Sequence, residues 1–194
     1  MKSKTAVLMC ALMLALSGTA RAGDFGTVVK GWWVAGSVPQ DYELGVTSAG
    51  CLSGKCAYIK SAVPAPRGFA TLMQQLAPDN YLGKRLRVSA QIRTENADKA
   101  ELWMRIDGPD GKSLHFYNMD DHPIIGTTSW KRYDVVLDVP LQAVGVAFGY
   151  FLYGEGEAWA DAFKLETVGK DVPVSVFSST KPLPKSPANL NFDQ

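Results

Sequence analysis

One predicted strand carries the residue types that recognise polyhydroxylated ligands. Along Ala100–Asp107, apolar residues alternate with polar or aromatic ones, and successive side chains of a strand point to opposite faces. Aromatic rings stack on the apolar side of pyranose rings and planar charged groups bond hydroxyls, while Trp and Arg also dominate protein interfaces. The sequence therefore predicts a ligand-binding face formed by Glu101, Trp103, Arg105 and Asp107.

A further carboxylate, Asp161, lies where a charge is unexpected. It alternates with Trp159, Phe163 and Leu165, so the period of two predicts that all four side chains share the core-facing side of a strand. A buried carboxylate costs several kcal/mol unless it is paired, richly hydrogen-bonded or bound to a metal. We therefore expect an electropositive partner for Asp161.

Two cysteines, Cys51 and Cys56, flank a Ser-Gly turn. In an oxidising compartment an even pair at this spacing predicts a disulfide that closes a hairpin. A redox pair would be separated by two residues and precede a helix, and no helical pattern follows Cys56. A zinc site lacks partners, because the chain has only two histidines, His115 and His122.

Catalytic motifs are absent from the sequence. It contains no G-x-S-x-G elbow, His-Glu-x-x-His motif, P-loop or Cys-His pairing. Carboxylate pairs for glycoside hydrolysis can be drawn in any chain with 19 acidic residues, and a turn before Pro123 explains His122 as well as a catalytic base does. We therefore predict no catalytic residue and no enzyme activity.

The N-terminus predicts export. Lys2 and Lys4 precede a short apolar run, and a small-x-small pattern ends at Ala22, which suits a cleaved signal peptide over residues 1–22 and a periplasmic or secreted protein. The run is too short to span a bilayer. Removing it leaves 17 basic against 19 acidic residues, a net charge of −2, so nucleic acid is not an expected partner.

Period-two alternation recurs along the chain and helical periodicity hardly appears. Many short strands punctuated by Gly, Pro, Asp and Asn predict an all-β, two-sheet antiparallel jelly-roll sandwich over residues 23–169. Residues 170–194 form a Pro-rich tail that ends in alternating Leu190 and Phe192. We expect this tail to run back over the domain and add a strand.

Several motifs together resemble the galactose-binding-domain-like jelly rolls, which include many carbohydrate-binding modules. They are Ser53-Gly54-Lys55, Gly83-Lys84-Arg85, Trp130, and Trp159 with Asp161. Segments such as Gly68–Gln75 and Leu102–Gly108 also resemble an uncharacterised bacterial domain that is found alone or fused to regulators and hydrolases. The resemblance covers roughly Gly31 to Pro173 and is informative for the fold more than for the activity.

The same resemblance implies a structural calcium ion. In carbohydrate-binding jelly rolls, such an ion is held by an acidic residue after the first strand's Asn-x-x-Phe, by the closing strand's Asp and by hairpin carbonyls. Here the closing Asp is Asp161 and the hairpin is Ser53-Gly54-Lys55. Residues 24–30 depart from the first-strand motif, whereas Asn189–Asp193 shows it, so we expect the C-terminus to supply that strand and Asp193 to take the acidic ligand's place. Calcium prefers such oxygen ligands. The alternative is that Asp161 accepts backbone N–H groups and binds no metal.

These observations predict an exported, non-catalytic binding module for carbohydrate or another cell-envelope polymer. The alternative is a periplasmic protein-binding factor, such as an inhibitor or immunity-type partner of an envelope enzyme, that uses the same aromatic and charged surface. The sequence alone does not separate the two.

Overall fold

Alternating apolar residues build an antiparallel β architecture in the computed structural model, which describes residues 30–177 and 186–190. A 3-10 turn at Pro39–Asp41 precedes the second strand. The strands are β1 (Trp33–Gly36), β2 (Tyr42–Thr47), β3 (Cys56–Ser61), β4 (Phe69–Leu76), β5 (Arg85–Asp107), β6 (Ser113–Tyr117), β7 (Ile124–Asp138), β8 (Gly145–Tyr153) and β9 (Glu157–Val168).

The 23-residue strand β5 belongs to two layers at once. Its first half pairs with β7 and β9, which extends through β3 to β2, and its second half pairs with β6 and β8, which extends through β4 to β1. A strand that changes layers must bend, and bulges supply the bend. The result is the predicted two-layer antiparallel sandwich.

The bend in β5 is visible in which residues face the core. Ile92 and Thr94 are buried two positions apart, but the next buried residues, Ala97 and Ala100, follow at intervals of three. The register with β7 shifts at each of these intervals, and Asn96 adopts a positive φ of 49°. The sequence predicts separate strands over Lys84–Thr94 and Ala100–Asp107, because the bulges interrupt the alternation over the five residues between them.

The core lies between the two layers and is almost entirely aliphatic and aromatic. Leu86, Val88 and Ile92 from the first half of β5 meet Leu102 and Leu152 from the other layer, all fully buried. At one edge, Trp32 packs edge-on against Phe148 and Phe163. Burial of this size contributes roughly 1.5 to 3 kcal/mol for each large side chain.

A bulge in β9 overturns the predicted orientation of Asp161. Ala158 and Ala160 face the core, the register with β5 shifts next to Asp161, and Phe163 and Leu165 then pack against the core in turn. Trp159 and Asp161 therefore lie on the outer face, opposite Phe163 and Leu165. The prediction of a core-facing Asp161 is wrong because one extra residue inverts the alternation.

The predicted disulfide is confirmed. Cys51 and Cys56 are bonded, with Cα atoms 5.4 Å apart, and Cys56 begins β3. The bond closes a short loop at the end of the β2–β3 hairpin. On the chain-entropy model, a loop of this size stabilises the fold by about 2 kcal/mol.

Part of the predicted tail runs back over the domain. The Ser175 N–H donates to the Val136 carbonyl, the Val136 N–H donates to Ser175 Oγ, and the Phe177 ring lies 4.9 Å from that of Tyr117. Leu190, expected to fill a sheet position, is instead 71% exposed, and residues 186–190 form no strand. Phe192 and Asp193, like the predicted signal peptide, lie outside the described residues.

The bulge in β9 has a measurable cost at Ala162. This exposed residue has a φ of +52°, which L-residues with a branched Cβ rarely adopt. We expect Ala162→Val to lower the free energy of unfolding by about 1 kcal/mol more than Lys164→Val, an exposed control in the same strand. Urea unfolding of both variants tests this, and equal effects at the two positions would contradict the strained backbone.

Candidate functional site

A cleft of about 540 Å³ opens on the outer face of the layer that contains β1, β4, β8 and the second half of β5. Its floor is a second apolar cluster, separate from the main core, in which Met73, Trp103, Ala147 and Phe151 are buried. This cluster lies on the outside of the sheet, so it does not contribute to the core between the two layers. Because apolar patches in surface clefts mark binding sites, we take this face as the candidate binding surface.

Trp103 forms the floor of the cleft and is only 6% exposed. Its indole N–H donates to Thr71 Oγ1 at 2.9 Å, and the Thr71 hydroxyl donates to the Tyr150 carbonyl at 2.9 Å. Because this chain of hydrogen bonds fixes the ring in the sheet surface, Trp103 offers a ligand a rigid, dry base. Trp103 itself is too buried to stack on a ligand, and the exposed rings of the cleft belong to other residues.

Phe116 and Tyr153, each 45% exposed, also line the cleft. Phe116 on β6 pairs with Arg105, and Tyr153 on β8 pairs with Lys99. These two positions on β5, Lys99 and Arg105, are six residues apart in the sequence. At the rise of an extended strand this corresponds to roughly 20 Å. An extended ligand lying along β5 can contact both rings.

The charges around the cleft are paired. Arg105 Nε donates to Asp107 Oδ1 at 2.6 Å, and Lys99 Nζ donates to Asp120 Oδ1 at 2.8 Å. Each pair is local and partly exposed, so neither leaves a strong field of one sign. Because each charge is already neutralised by its partner, the polar groups of these pairs suit hydroxyl groups, which both donate and accept, better than an ionic ligand.

Glu101 is the buried carboxylate of this protein. Its side chain is fully buried beneath the cleft, Lys99 Nζ lies 3.2 Å from Oε1, and neither oxygen has a hydrogen bond of good geometry. Burial raises the pKa of Glu101 to about 7, although Lys99 acts in the opposite direction. A protonated Glu101 therefore coexists with an ionised one near neutral pH.

The structure separates the four predicted ligand residues by depth. Trp103 and Arg105 line the cleft, Asp107 holds Arg105, and Glu101 lies beneath. Other residues that line the cleft were not predicted. The alternation of β8 and the extension of β5 give a signal for Phe151, Tyr153 and Lys99. Others come from β4, from β6 and from the loop after β6: Phe69, Phe116, Asn118 and Asp120.

Asp161 contacts the Ser53-Gly54-Lys55 hairpin, as the resemblance to carbohydrate-binding jelly rolls implies. The contact is made by hydrogen-bond donors of Ser53, whereas the resemblance implies carbonyl oxygens. Its Oδ2 accepts the Ser53 N–H at 3.0 Å and the Ser53 hydroxyl at 3.3 Å, and its Oδ1 accepts the Ala162 N–H at 2.6 Å. No group of three or more His, Cys, Asp or Glu residues within 30–177 and 186–190 could hold a metal ion. Calcium binding by Asp161 together with Asp193 and the hairpin carbonyls stays a prediction, because Asp193 lies outside the described residues.

Comparison with known proteins identifies one curated relative. No family model matches the chain. The "Uncharacterized HTH-type transcriptional regulator YbfP" of Bacillus subtilis (strain 168) is 41% identical over 169 residues, which are 86% of this chain and 57% of that protein. The chain thus spans little more than half of its relative. The described residues contain no α-helix and so form no helix-turn-helix.

Solved structures share the fold at low sequence identity. The CBM22-1 xylan-binding domain from Paenibacillus barcinonensis Xyn10C has a TM-score of 0.54 at 10% identity, covering 72% of this chain and 87% of that domain. The C-terminal family 22 carbohydrate-binding module of Clostridium thermocellum Xyn10B has 0.53 at 13%, covering 77% and 92%. The Stig cyclase Fisc from Fischerella sp. TAU has 0.52 at 15%, covering 81% and 93%.

The fold is that of carbohydrate-binding jelly rolls. Structures alike at such low identity establish architecture, and the cyclase among them shows that this architecture also carries enzymes. No helix among the described residues is both long and apolar enough to cross a membrane.

The buried Glu101 predicts an unusual pH dependence of stability. Because its pKa is raised to about 7 in the folded state, the folded chain keeps a proton that the unfolded chain loses above pH 4.5, and stability falls as the pH rises through that window. We expect Glu101→Gln to gain roughly 3 kcal/mol relative to the wild type between pH 4 and 8. Denaturant unfolding across this range is the measurement, with Glu95→Gln, an exposed carboxylate of β5, as control. Parallel profiles for Glu101→Gln and the wild type would contradict it.

Asp161 is predicted to stabilise the hairpin without calcium. Asp161→Ala leaves the Ser53 and Ala162 N–H groups without their partner, so we expect a loss of about 2 kcal/mol in the presence of a chelator. Thermal and urea unfolding in chelator and in calcium measure this loss. A loss that appears only when calcium is present would instead assign the carboxylate to a metal.

Proposed function

We propose that the protein is an exported, non-catalytic binding module that holds carbohydrate or another cell-envelope polymer in the outer cleft. The observation that carries this proposal is the cleft itself: a fixed apolar floor around Trp103, flanked by the exposed rings of Phe116 and Tyr153. Such rings stack on the apolar faces of sugar rings and leave the hydroxyls to polar groups at the rim.

The ligand in this proposal is extended and largely uncharged. The β5 positions that pair with Phe116 and Tyr153 lie roughly 20 Å apart, which suits a chain of units more than a single one. Arg105 and Lys99 each have a carboxylate partner, so an anionic ligand would have to break an ion pair to gain one. Hydroxyl groups require no such exchange.

The positions of the carboxylates support a non-catalytic role. A general acid or base must reach the reacting atom, yet Glu101 is fully buried, and Asp107 and Asp120 are held by Arg105 and Lys99. His122 is hydrogen-bonded within its own loop to Asp121 and does not line the cleft.

Export is supported by two independent features. The first residues have the charge and apolar pattern of a cleaved signal, and the Cys51–Cys56 bond belongs to an oxidising compartment. The similarity to a transcriptional regulator supports ligand recognition in another setting, because a regulator needs a part that senses its signal and the described residues form no helix-turn-helix.

The second candidate is a periplasmic protein-binding factor. Exposed aromatic side chains on one face, among them Phe116, Tyr153 and Trp33, are also what an interface uses. Competition separates the two functions, since a soluble sugar displaces a polysaccharide from the cleft and leaves a protein partner bound.

Truncating the exposed rings should weaken polymer binding without unfolding the domain. We expect Phe116→Ala and Tyr153→Ala each to weaken binding of soluble xylan, β-glucan, galactan or peptidoglycan fragments about tenfold, the loss of one stacking contact. Calorimetric titration of residues 23–194 measures this. The control Ile125→Ala removes an exposed apolar side chain that does not line the cleft.

Two results would overturn the proposal. One is a polymer that binds the wild type and both ring variants equally. The other is an envelope protein that stays bound to the wild type in excess soluble sugar and is released by Phe116→Ala, which would assign the surface to a protein partner.

A further inference from the structure

The opposite layer carries a row of rings and a guanidinium on its outer face. Tyr58 on β3 pairs with Trp159 on β9, and Trp159 pairs with Arg93 on β5. Trp130 of β7 lies on the far side, with its ring 5.8 Å from the Arg93 guanidinium carbon. Strands lie about 4.8 Å apart, so these four side chains form a platform roughly 15 Å wide.

Arg93 lies at the centre of this platform, and part of its hydrogen-bonding capacity is unused. Its guanidinium carbon lies 3.6 Å from the ring centre of Trp159, a stacked cation–π contact. Its Nε is buried and has no hydrogen-bond partner among the described residues. Buried Arg N–H groups normally donate to an acceptor, and a ligand oxygen within reach of Arg93 would supply the acceptor that Nε lacks.

Tyr58 presents its ring through the absence of a neighbouring side chain. Gly45 pairs with Tyr58, and a Cβ added to Gly45 would lie 2.6 Å from the Tyr58 ring. The ring therefore lies over the backbone of Gly45 in β2, and its hydroxyl donates to Glu43 Oε1 at 2.8 Å. A ring held in place and half-exposed in this way can stack against a ligand.

A pocket of about 520 Å³ surrounds these residues, a size typical of small-ligand sites. Glu43 and Glu157 line it together with Lys60 and Arg93, and Glu95 follows beside Glu157 in the sheet. Three carboxylates against two cations repel an anionic ligand. Carboxylate and guanidinium groups together accept from and donate to hydroxyls.

One wall of the pocket is the disulfide hairpin, which three contacts hold in place. Trp130 Nε1 donates to the Gly50 carbonyl at 3.3 Å, Asp161 accepts from Ser53, and Cys51 is bonded to Cys56. Gly50 itself lines the pocket. The outer-facing Asp161 thus positions a wall of this second pocket.

We infer that this platform is a second binding site, separate from the cleft, for a neutral sugar unit that stacks on Tyr58 and hydrogen-bonds to Arg93 and Glu43. The two sites lie on the outer faces of opposite layers, so one molecule can hold two polysaccharide chains, or two stretches of one chain, at once. Occupancy of both raises the overall avidity for a polymer beyond that of either site.

The indole N–H signals of Trp103 and Trp159 report the two faces separately in 15N–1H spectra. The probes are hexasaccharides of xylose, glucose, mannose and N-acetylglucosamine, titrated into residues 23–194 that carry Phe116→Ala and Tyr153→Ala to disable the cleft. We expect at least one probe to shift the Trp159 and Trp130 signals saturably. Tyr58→Ala should weaken that binding about tenfold, whereas Tyr58→Phe, which keeps the ring, should largely retain it.

The result that overturns the inference is the absence of saturable shifts at Trp130 and Trp159 with every probe, or shifts that Tyr58→Ala leaves unchanged. Thermal unfolding checks that Tyr58→Ala is folded, and Glu43→Ala provides a second variant that keeps the Tyr58 ring and removes the carboxylate acceptor, with the same tenfold weakening expected. Failure of the cleft is seen independently, as an unmoved Trp103 signal in the wild-type chain while the Trp159 signal moves.

Discussion

The sandwich depends on one strand that serves both of its layers. β5 pairs along its first half with β7 and β9 and along its second half with β6 and β8, so the two layers are held together by backbone hydrogen bonds as well as by the core. Bulges around Asn96 and Ala97 turn the strand through the corner. Disrupting this corner would break the backbone connection that β5 provides between the two layers, along which β7 also pairs as far as Ile124 opposite Ala100.

The same strand places the chemistry of both candidate surfaces. Arg93 lies just before the corner on one outer face, and Trp103 and Arg105 lie after it on the other. Residues on a central strand are fixed by pairing on both sides, which is why the rings and guanidinium groups here are held to the precision of the sheet instead of that of a loop. Because these strands are rigid, space on the sheet surface is created by glycines, which have no side chain. Gly45 leaves room for the Tyr58 ring, and a Cβ added to Gly149 would lie 2.3 Å from the Leu72 carbonyl oxygen.

Alternation of apolar residues predicts most strands because each layer buries only one face. The alternation predicts strands over Tyr42–Thr47 and Phe69–Leu76, and β2 and β4 have these bounds. Two residues of the predicted ligand-binding face, Trp103 and Arg105, line the cleft. The errors arise where an extra residue enters a strand: at Asp161, a bulge places outside a carboxylate that the pattern places inside. A bulge leaves no compositional mark at Ala162, and the long-range partners Phe116 and Tyr153 come from strands whose pairing the sequence does not reveal.

Glu101 shows why the sequence misplaces the buried charge. Alternation assigns it to an outer face, which is correct, but Lys99 and the rings around it close over that face and exclude water. The buried side-chain atoms without hydrogen-bond partners among the described residues belong to Arg93, Glu101, Asn118 and Tyr150. Apart from Tyr150, these lie in or directly beneath the two proposed sites. These atoms mark the places where the ligands of the two proposed sites would supply hydrogen-bond partners.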